Sequence, residues 1–79
     1  MRISNIFPMG LEEMGVILKE RRQFLKLRQE DVAEISGVTI RSLHSIEQGT
    51  GNPSFETLAK IASVLGMELK IEVKQLDHG

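Results

Sequence analysis

The stretch that decides the fold is residues 29–48, QEDVAEISGVTIRSLHSIEQ. Its apolar spacing indicates two short helices, one on each side of Gly37. Glycine enters the left-handed backbone region freely and therefore ends the first helix, and Thr39 is a good N-cap for the second. Ala33 supplies a small side chain where two helices must cross closely. The stretch therefore predicts a helix-turn-helix.

Two further amphipathic helices are predicted around this pair. One runs from Leu11 to about Lys26, and the other opens at the N-cap Ser54 and ends at Gly66. Helical spacing also predicts which apolar side chains face a shared core. They are Leu11, Met14, Ile17, Leu18, Phe24, Leu25, Val32, Ala33, Ile35, Leu43, Ile46, Phe55, Leu58, Ile61, Ala62 and Leu65.

The pattern changes after Gly66, where apolar and charged residues alternate. Such alternation predicts a β-strand over residues 67–74 with one dry face. A lone strand leaves backbone groups unpaired, so we expect it to pair with the same strand of a second copy across a two-fold axis. The alternatives are pairing with the N-terminal segment, or packing or fraying of residues 67–79 on their own domain. The predicted dimer strand presents Met67, Leu69, Ile71 and Val73.

These patterns divide the chain into three parts: an N-terminal arm over 1–10, a helical domain over 11–66, and a strand and tail for dimerisation over 67–79. With 79 residues there is room for one small core. A second domain or a deep cofactor cleft is excluded. Without cysteine, neither disulfides nor thiolate zinc sites can form. No apolar run approaches the ~18 residues of a membrane span, and we expect a cytoplasmic protein without membrane contact.

The sequence carries no pattern of an enzyme. A Ser/His/Asp triad, a phosphate-binding loop and a dinucleotide-binding glycine motif are all missing. His44 and His78 are far apart and have no cysteine or carboxylate at ligand spacing, so neither a metal nor a cofactor is expected. The net charge is −1, and the basic residues of the first half are mixed with acidic ones. Taken alone, that mixture predicts an ordinary solvated helix face.

A more specific pattern runs through the helical domain. It consists of Gln29, Ala33, Gly37, Val38, Ile46, Glu47, Gly49, the run Asn52-Pro53-Ser54, and Leu58. With this pattern the chain resembles the Cro/repressor type of helix-turn-helix, the XRE family, over roughly residues 11 to 66. The resemblance implies a mainly α, compact four-helix (lambda-repressor-like) bundle that inserts its third helix into DNA.

The resemblance also implies roles for individual residues. Arg22 of the first helix would pair with Glu47 at the end of the third. The residues expected to face bases are Thr39, Ile40, Arg41, His44 and Ser45. Those expected to contact phosphate are Arg28, Gln29, Ser42, Gln48 and Asn52.

Elementary chemistry agrees with these roles and leaves alternatives. Arg41 can bond a guanine bidentately, which is worth about 1–3 kcal/mol of discrimination. Ile40 departs from the polar residue usual in the family and can pack on a thymine methyl group instead. Arg28 departs from the usual Ser or Thr cap, which leaves the second helix without a good N-cap. The alternative interpretation of Arg41 and His44 is a solvated side chain, and that of Gln29 is a residue that only decorates a helix start. The alternative for Arg22 and Glu47 is that each is exposed and unpaired.

The leading function hypothesis is a dimeric, sequence-specific repressor that binds double-stranded DNA at an inverted repeat. The alternative is an antitoxin whose main role is to hold a toxin protein. The strand predicted over 67–74 resembles that of HipB-type antitoxin repressors, which repress their own operon and bind a toxin kinase.

Overall fold

The computed structural model describes residues 10–73, and these form four helices. Helix α1 spans Leu11–Phe24, α2 spans Gln29–Ser36, α3 spans Ile40–Glu47 and α4 spans Phe55–Val64. The mainly α bundle with a helix-turn-helix is therefore confirmed. Residues 1–9 of the predicted arm (1–10) and residues 74–79 of the predicted strand and tail (67–79), which include His78, lie outside the described residues. Within 10–73 no helix is long and apolar enough to cross a membrane.

Local side-chain chemistry accounts for the helix ends. The hydroxyl of Thr39 accepts a hydrogen bond from the backbone N–H of Ser42 at 3.1 Å, and Ser54 caps α4 in the same way. Gly37 ends α2 with φ of 79°, the left-handed conformation that glycine adopts without steric cost. Helix α1 ends two residues before the predicted Lys26, and Lys26 itself has φ of 59°.

One apolar cluster holds the four helices together. Its members come from every helix, and Met14, Leu27, Val38, Val64, Met67 and Leu69 pack against it. Five predicted core residues are exposed instead, namely Leu11, Phe24, Leu25, Ile35 and Phe55. They lie at the edge of the apolar face of their helix, where the other three helices do not cover them. The buried cluster consists of Leu18, Val32, Leu43, Ile46, Leu58, Ile61 and Leu65.

The predicted C-terminal strand is wrong for the single chain. Residues 67–73 have no regular secondary structure. A strand exists only where a neighbouring strand accepts its backbone hydrogen bonds, and nothing within 10–73 provides one. The predicted common face is also divided, because Met67 and Leu69 pack on the core while Ile71 and Val73 are 92% and 93% exposed.

Candidate nucleic-acid interface

Helix α3 turns one side to the core and the other to solvent. Leu43 and Ile46 are buried. On the opposite side, Ser45 is half-buried and the other side chains predicted to face bases are exposed. The Thr39 hydroxyl also donates to the Ser42 hydroxyl, at 3.0 Å. An exposed helix face of this length fits the major groove of B-DNA, which is about 12 Å wide.

A groove of about 410 Å³ runs between α3 and the start of α4. It brings together three predicted contact residues of α3 and Asn52, which lies seven to eleven positions further along the chain. Seven of its ten lining residues carry polar side chains. Its lining consists of Arg41, Ser42, Ser45, Ile46, Thr50, Gly51, Asn52, Pro53, Ser54 and Thr57.

The start of α2 is organised by Asp31 rather than by Arg28. As predicted for an arginine at this position, the Arg28 side chain makes no capping hydrogen bond. The Asp31 carboxylate instead accepts from the backbone N–H of Arg28 at 2.8 Å, and it lies 3.5 Å from the Arg28 guanidinium. The backbone hydrogen bond and then the Arg28 charge lower the pKa of Asp31. Arg28 is exposed and can reach outward to phosphate, in competition with this carboxylate.

Gln29 is engaged inside the protein. Its side-chain amide donates to Glu47 Oε1 at 3.0 Å. One amide N–H of Gln29 is thus already used within the protein, and its predicted phosphate contact stays a prediction. Gln48, the other predicted phosphate contact next to Glu47, is exposed at the end of α3.

The structure brings Arg22 and Glu47 together in a buried, two-pronged ion pair. Arg22 Nε lies 2.7 Å from Glu47 Oε2, and Nη2 lies 2.9 Å from Oε1. Arg22 Nη1 also donates to the carbonyl of Leu27 at 2.9 Å. Within 10–73, every buried side-chain nitrogen and oxygen has a hydrogen-bond partner. The pair therefore ties α1, the turn before α2, and the end of α3 into one satisfied network.

The network shifts the titration of both partners. Burial raises the pKa of Glu47, but hydrogen bonds from Arg22 and Gln29 outweigh burial, so the pKa lies below its ordinary value. The hydrogen bond to Glu47 raises the pKa of Arg22, against the opposing effect of burial. Both groups are consequently charged at neutral pH.

Two glycines allow α1 and the end of α3 to approach closely. The sequence pattern indicated Gly49 but not Gly15. A Cβ at Gly15 would collide with the carbonyl oxygen of Ile46, and a Cβ at Gly49 would stand 2.7 Å from Glu12 Cα. Neither position has room for a Cβ, so α1 and the end of α3 pack backbone to backbone. Nothing in the helical spacing distinguishes Gly15 from any other residue of α1.

Arg21 is likewise more than a solvated basic residue. Its Nε donates to the carbonyl of Leu65 at the end of α4, at 2.9 Å, and its guanidinium lies 5.3 Å from the centre of the Phe24 ring. The interpretation of the basic cluster as an ordinary solvated face is therefore wrong for Arg21 and Arg22. No group of three potential metal ligands occurs within the described residues.

Comparison with known proteins supports a DNA-binding domain. The helix-turn-helix family profile matches residues 18–71. An uncharacterized HTH-type transcriptional regulator of Methanothermobacter thermautotrophicus is 38% identical over 65 residues, which are 82% of this chain and 94% of that protein. The ImmF control region 10 kDa protein of Bacillus phage phi105 is 28% identical over 72 residues, covering 86% of this chain and 80% of the phage protein.

Longer proteins contain a similar domain. Several proteins of Methanococcus maripaludis named as HTH-type transcriptional regulatory proteins are 34% identical over 64 residues, 81% of this chain. The chain spans only 20% of the length of each.

Proposed function

Because the chain belongs to the helix-turn-helix family of Cro/C1 (XRE) type, whose members are DNA-binding regulators of transcription, we propose that it is a repressor. It binds double-stranded DNA as a homodimer and reads an inverted repeat with α3. One observation carries the proposal. The first three residues of α3, Ile40 to Ser42, are exposed, while its C-terminal end is fixed by the buried pair of Arg22 and Glu47.

The positions of the side chains indicate which of them contact bases and which contact phosphates. Arg41 and Ser45 line the groove beside α3 and are suited to base edges, since an arginine fork matches guanine. Arg28 and Asn52 lie on either side of α3 in sequence and are suited to phosphates, which fix register without reading sequence. Ile40 is 47% exposed and offers an apolar contact to a thymine methyl group.

A binding selection tests this function. Duplexes selected from a random pool should converge on an inverted repeat, with half-sites about 34–36 Å apart or a multiple of that distance. Affinity for the selected duplex should fall steeply with salt, because phosphate contacts release counterions. A scrambled duplex of equal length is the control. Equal affinity for both duplexes would contradict specific recognition.

Repression itself needs a promoter assay. A reporter with the selected site overlapping its promoter should lose expression when the protein is produced. Unchanged or increased expression would contradict repression, and the protein would then be a different kind of regulator.

A protein partner such as a toxin is the second candidate. The observation that favours it is the exposure of Phe24 and Ile35, at 73% and 67%, on side chains that the DNA interface does not use. If the chain neutralises a toxin encoded beside it, Phe24→Lys and Ile35→Lys should lose that protection and keep DNA binding. Protection that survives both changes would contradict a role for these two side chains.

A further inference from the structure

The carboxylate of Glu47 lies where three helices meet. Arg22 reaches it from α1, Gln29 reaches it from the start of α2, and Gln48 follows it at the end of α3. Gln29 and Gln48 are two of the side chains predicted to contact phosphate. The same junction includes a basic residue of α1 that lies outside the predicted interface, Lys19.

The packing of α1 places Lys19 beside Glu47. Gly15, Lys19 and Arg22 share one face of α1, because residues three and four positions apart on a helix lie on the same side. A Cβ at Gly15 would stand 3.0 Å from the backbone carbonyl oxygen of Glu47, and Arg22 Nε lies 2.7 Å from the Glu47 carboxylate. Lys19 stands between these two contacts, so its side chain leaves α1 next to the end of α3.

The charge of Lys19 acts on Glu47 without pairing with it. Burial raises the pKa of Glu47, the hydrogen bonds from Arg22 and Gln29 lower it, and the charge of Lys19 lowers it further. Lys19 is exposed, and it forms no ion pair with any residue of the range 10–73. Both Glu47 oxygens already accept hydrogen bonds from Arg22, and Oε1 accepts another from Gln29. The ammonium of Lys19 can therefore take an anion from outside the protein.

Gln29 has a donor left for the same anion. A glutamine amide carries two N–H groups, and the hydrogen bond to Glu47 uses one of them and holds the amide in place. A phosphate suits the pair of donors, because lysine binds phosphate as a point charge and an amide N–H adds direction. Repulsion from Glu47 is small, since Arg22 offsets its charge at 2.7 Å.

We propose that Lys19 and Gln29 together bind one phosphate of the DNA backbone in each half-site. The inference rests on the proposed DNA-binding function and adds α1 to the interface. The Gln29 amide is already held by Glu47, so it loses little side-chain freedom when the phosphate binds, and such preorganisation favours affinity. A contact of this kind fixes the register of the domain on the duplex and reads no base.

Removal of the Lys19 charge tests the contact without touching the core. Lys19→Gln should melt like the parent, since Lys19 is exposed, and should weaken binding to the selected and the scrambled duplex by the same factor. The slope of log affinity against log salt concentration should become shallower by about 0.9 for each half-site. Lys19→Arg keeps the charge and should keep the slope. Lys60→Gln removes an exposed charge from α4 and is the matched control, with no expected change.

Neutral phosphates locate the contact on the DNA. Fluorescence anisotropy is measured on a series of selected duplexes, each with one methylphosphonate in place of a phosphate. At one position in each half-site the parent should lose affinity, because the neutral group no longer attracts Lys19. Lys19→Gln and Gln29→Ala should each lose less than the parent at that same position, since one partner of the contact is already missing.

Three results would overturn the proposal. The first is an unchanged salt slope for Lys19→Gln. The second is a lower melting temperature with unchanged affinity, which would mean that Lys19 only stabilises Glu47. The third is a pair of effects at different phosphates for Lys19→Gln and Gln29→Ala. The preference of the parent for the selected over the scrambled duplex is measured separately, so failure of this contact and failure of the DNA-binding function are distinguishable.

Discussion

The two ends of α3 are built in opposite ways. At the C-terminal end, Glu47 is buried in a fully hydrogen-bonded network, and the backbone touches α1 at Gly15. In the N-terminal half, Ile40 and Arg41 are exposed. This difference indicates that fixing the C-terminal end alone is enough to orient a helix of two turns. The other end can then carry side chains chosen for a ligand, because stability does not depend on them.

The largest effect should come from breaking the fixed end. Glu47→Gln or Arg22→Met strands the remaining partner in a buried position, and each should lower the free energy of unfolding by roughly 3–5 kcal/mol. Urea denaturation measures this loss. Arg28→Met removes the same kind of side chain from an exposed pair and serves as the control, with an expected loss near 0–1 kcal/mol. Losses of that small size for both buried variants would show that the pair does not hold α3.

The next effect should come from the close backbone contact. Gly15→Ala improves helix propensity by about 1 kcal/mol but forces a methyl group against the Ile46 carbonyl. The net result should be a loss of about 1–3 kcal/mol, typical of overpacking. Val16→Ala, at an exposed neighbouring position of α1, is the matched control. A variant with Gly15→Ala that is more stable than the parent would mean that α1 and α3 separate at little cost.

Changes in the exposed half should act on binding alone. Arg41→Ala should weaken binding to the selected duplex by about 1–3 kcal/mol and relax preference at one base step, with an unchanged melting temperature. Fluorescence anisotropy and a thermal melt measure the two quantities. Lys60→Ala, which removes an exposed charge from α4 outside the groove, should leave affinity nearly intact. If Arg41→Ala binds the best site as well as the parent does, the base-facing surface is assigned wrongly.

Lowering the pH should reduce the stabilising contribution of the Arg22–Glu47 pair, by less than the changes above. The folded-state pKa of Glu47 lies below its ordinary value, so its stabilising contribution is complete above about pH 4.3. The contribution is lost as the pH falls through the folded-state pKa. The difference in melting temperature between the parent and Glu47→Gln should therefore narrow as the pH is lowered from 7 to 3. A constant difference would show that Glu47 does not titrate in that range.

Local signals were sufficient for most of the fold. Caps such as Thr39 and Ser54, and the stop at Gly37, act through bonds to near neighbours, so the sequence locates the helices within two residues. The C-terminal strand could not be settled in this way. A strand depends on hydrogen bonds to another segment, and the alternation that predicts one is the same whether or not a partner is present.

Tertiary neighbours decided the remaining features. Ile35 fits the apolar stripe of α2, yet it is exposed because no other helix reaches that margin. Gly15 carries no local signal, because its role exists only when the Ile46 carbonyl approaches. For the candidate interface, spacing and resemblance indicated the exposed side of α3, but they did not indicate that Gln29 already donates to Glu47.

The buried network also has a kinetic consequence. Arg22 simultaneously holds the Glu47 carboxylate and the Leu27 carbonyl, so neither the end of α3 nor the turn before α2 can open alone without stranding a charge. Local fraying is suppressed there, and the amide protons of Ile46 and Glu47 should exchange with solvent only through global unfolding. Amides in the first turn of α3 have no such restraint. We therefore expect slow amide exchange at the C-terminal end of α3 and fast exchange in its first turn.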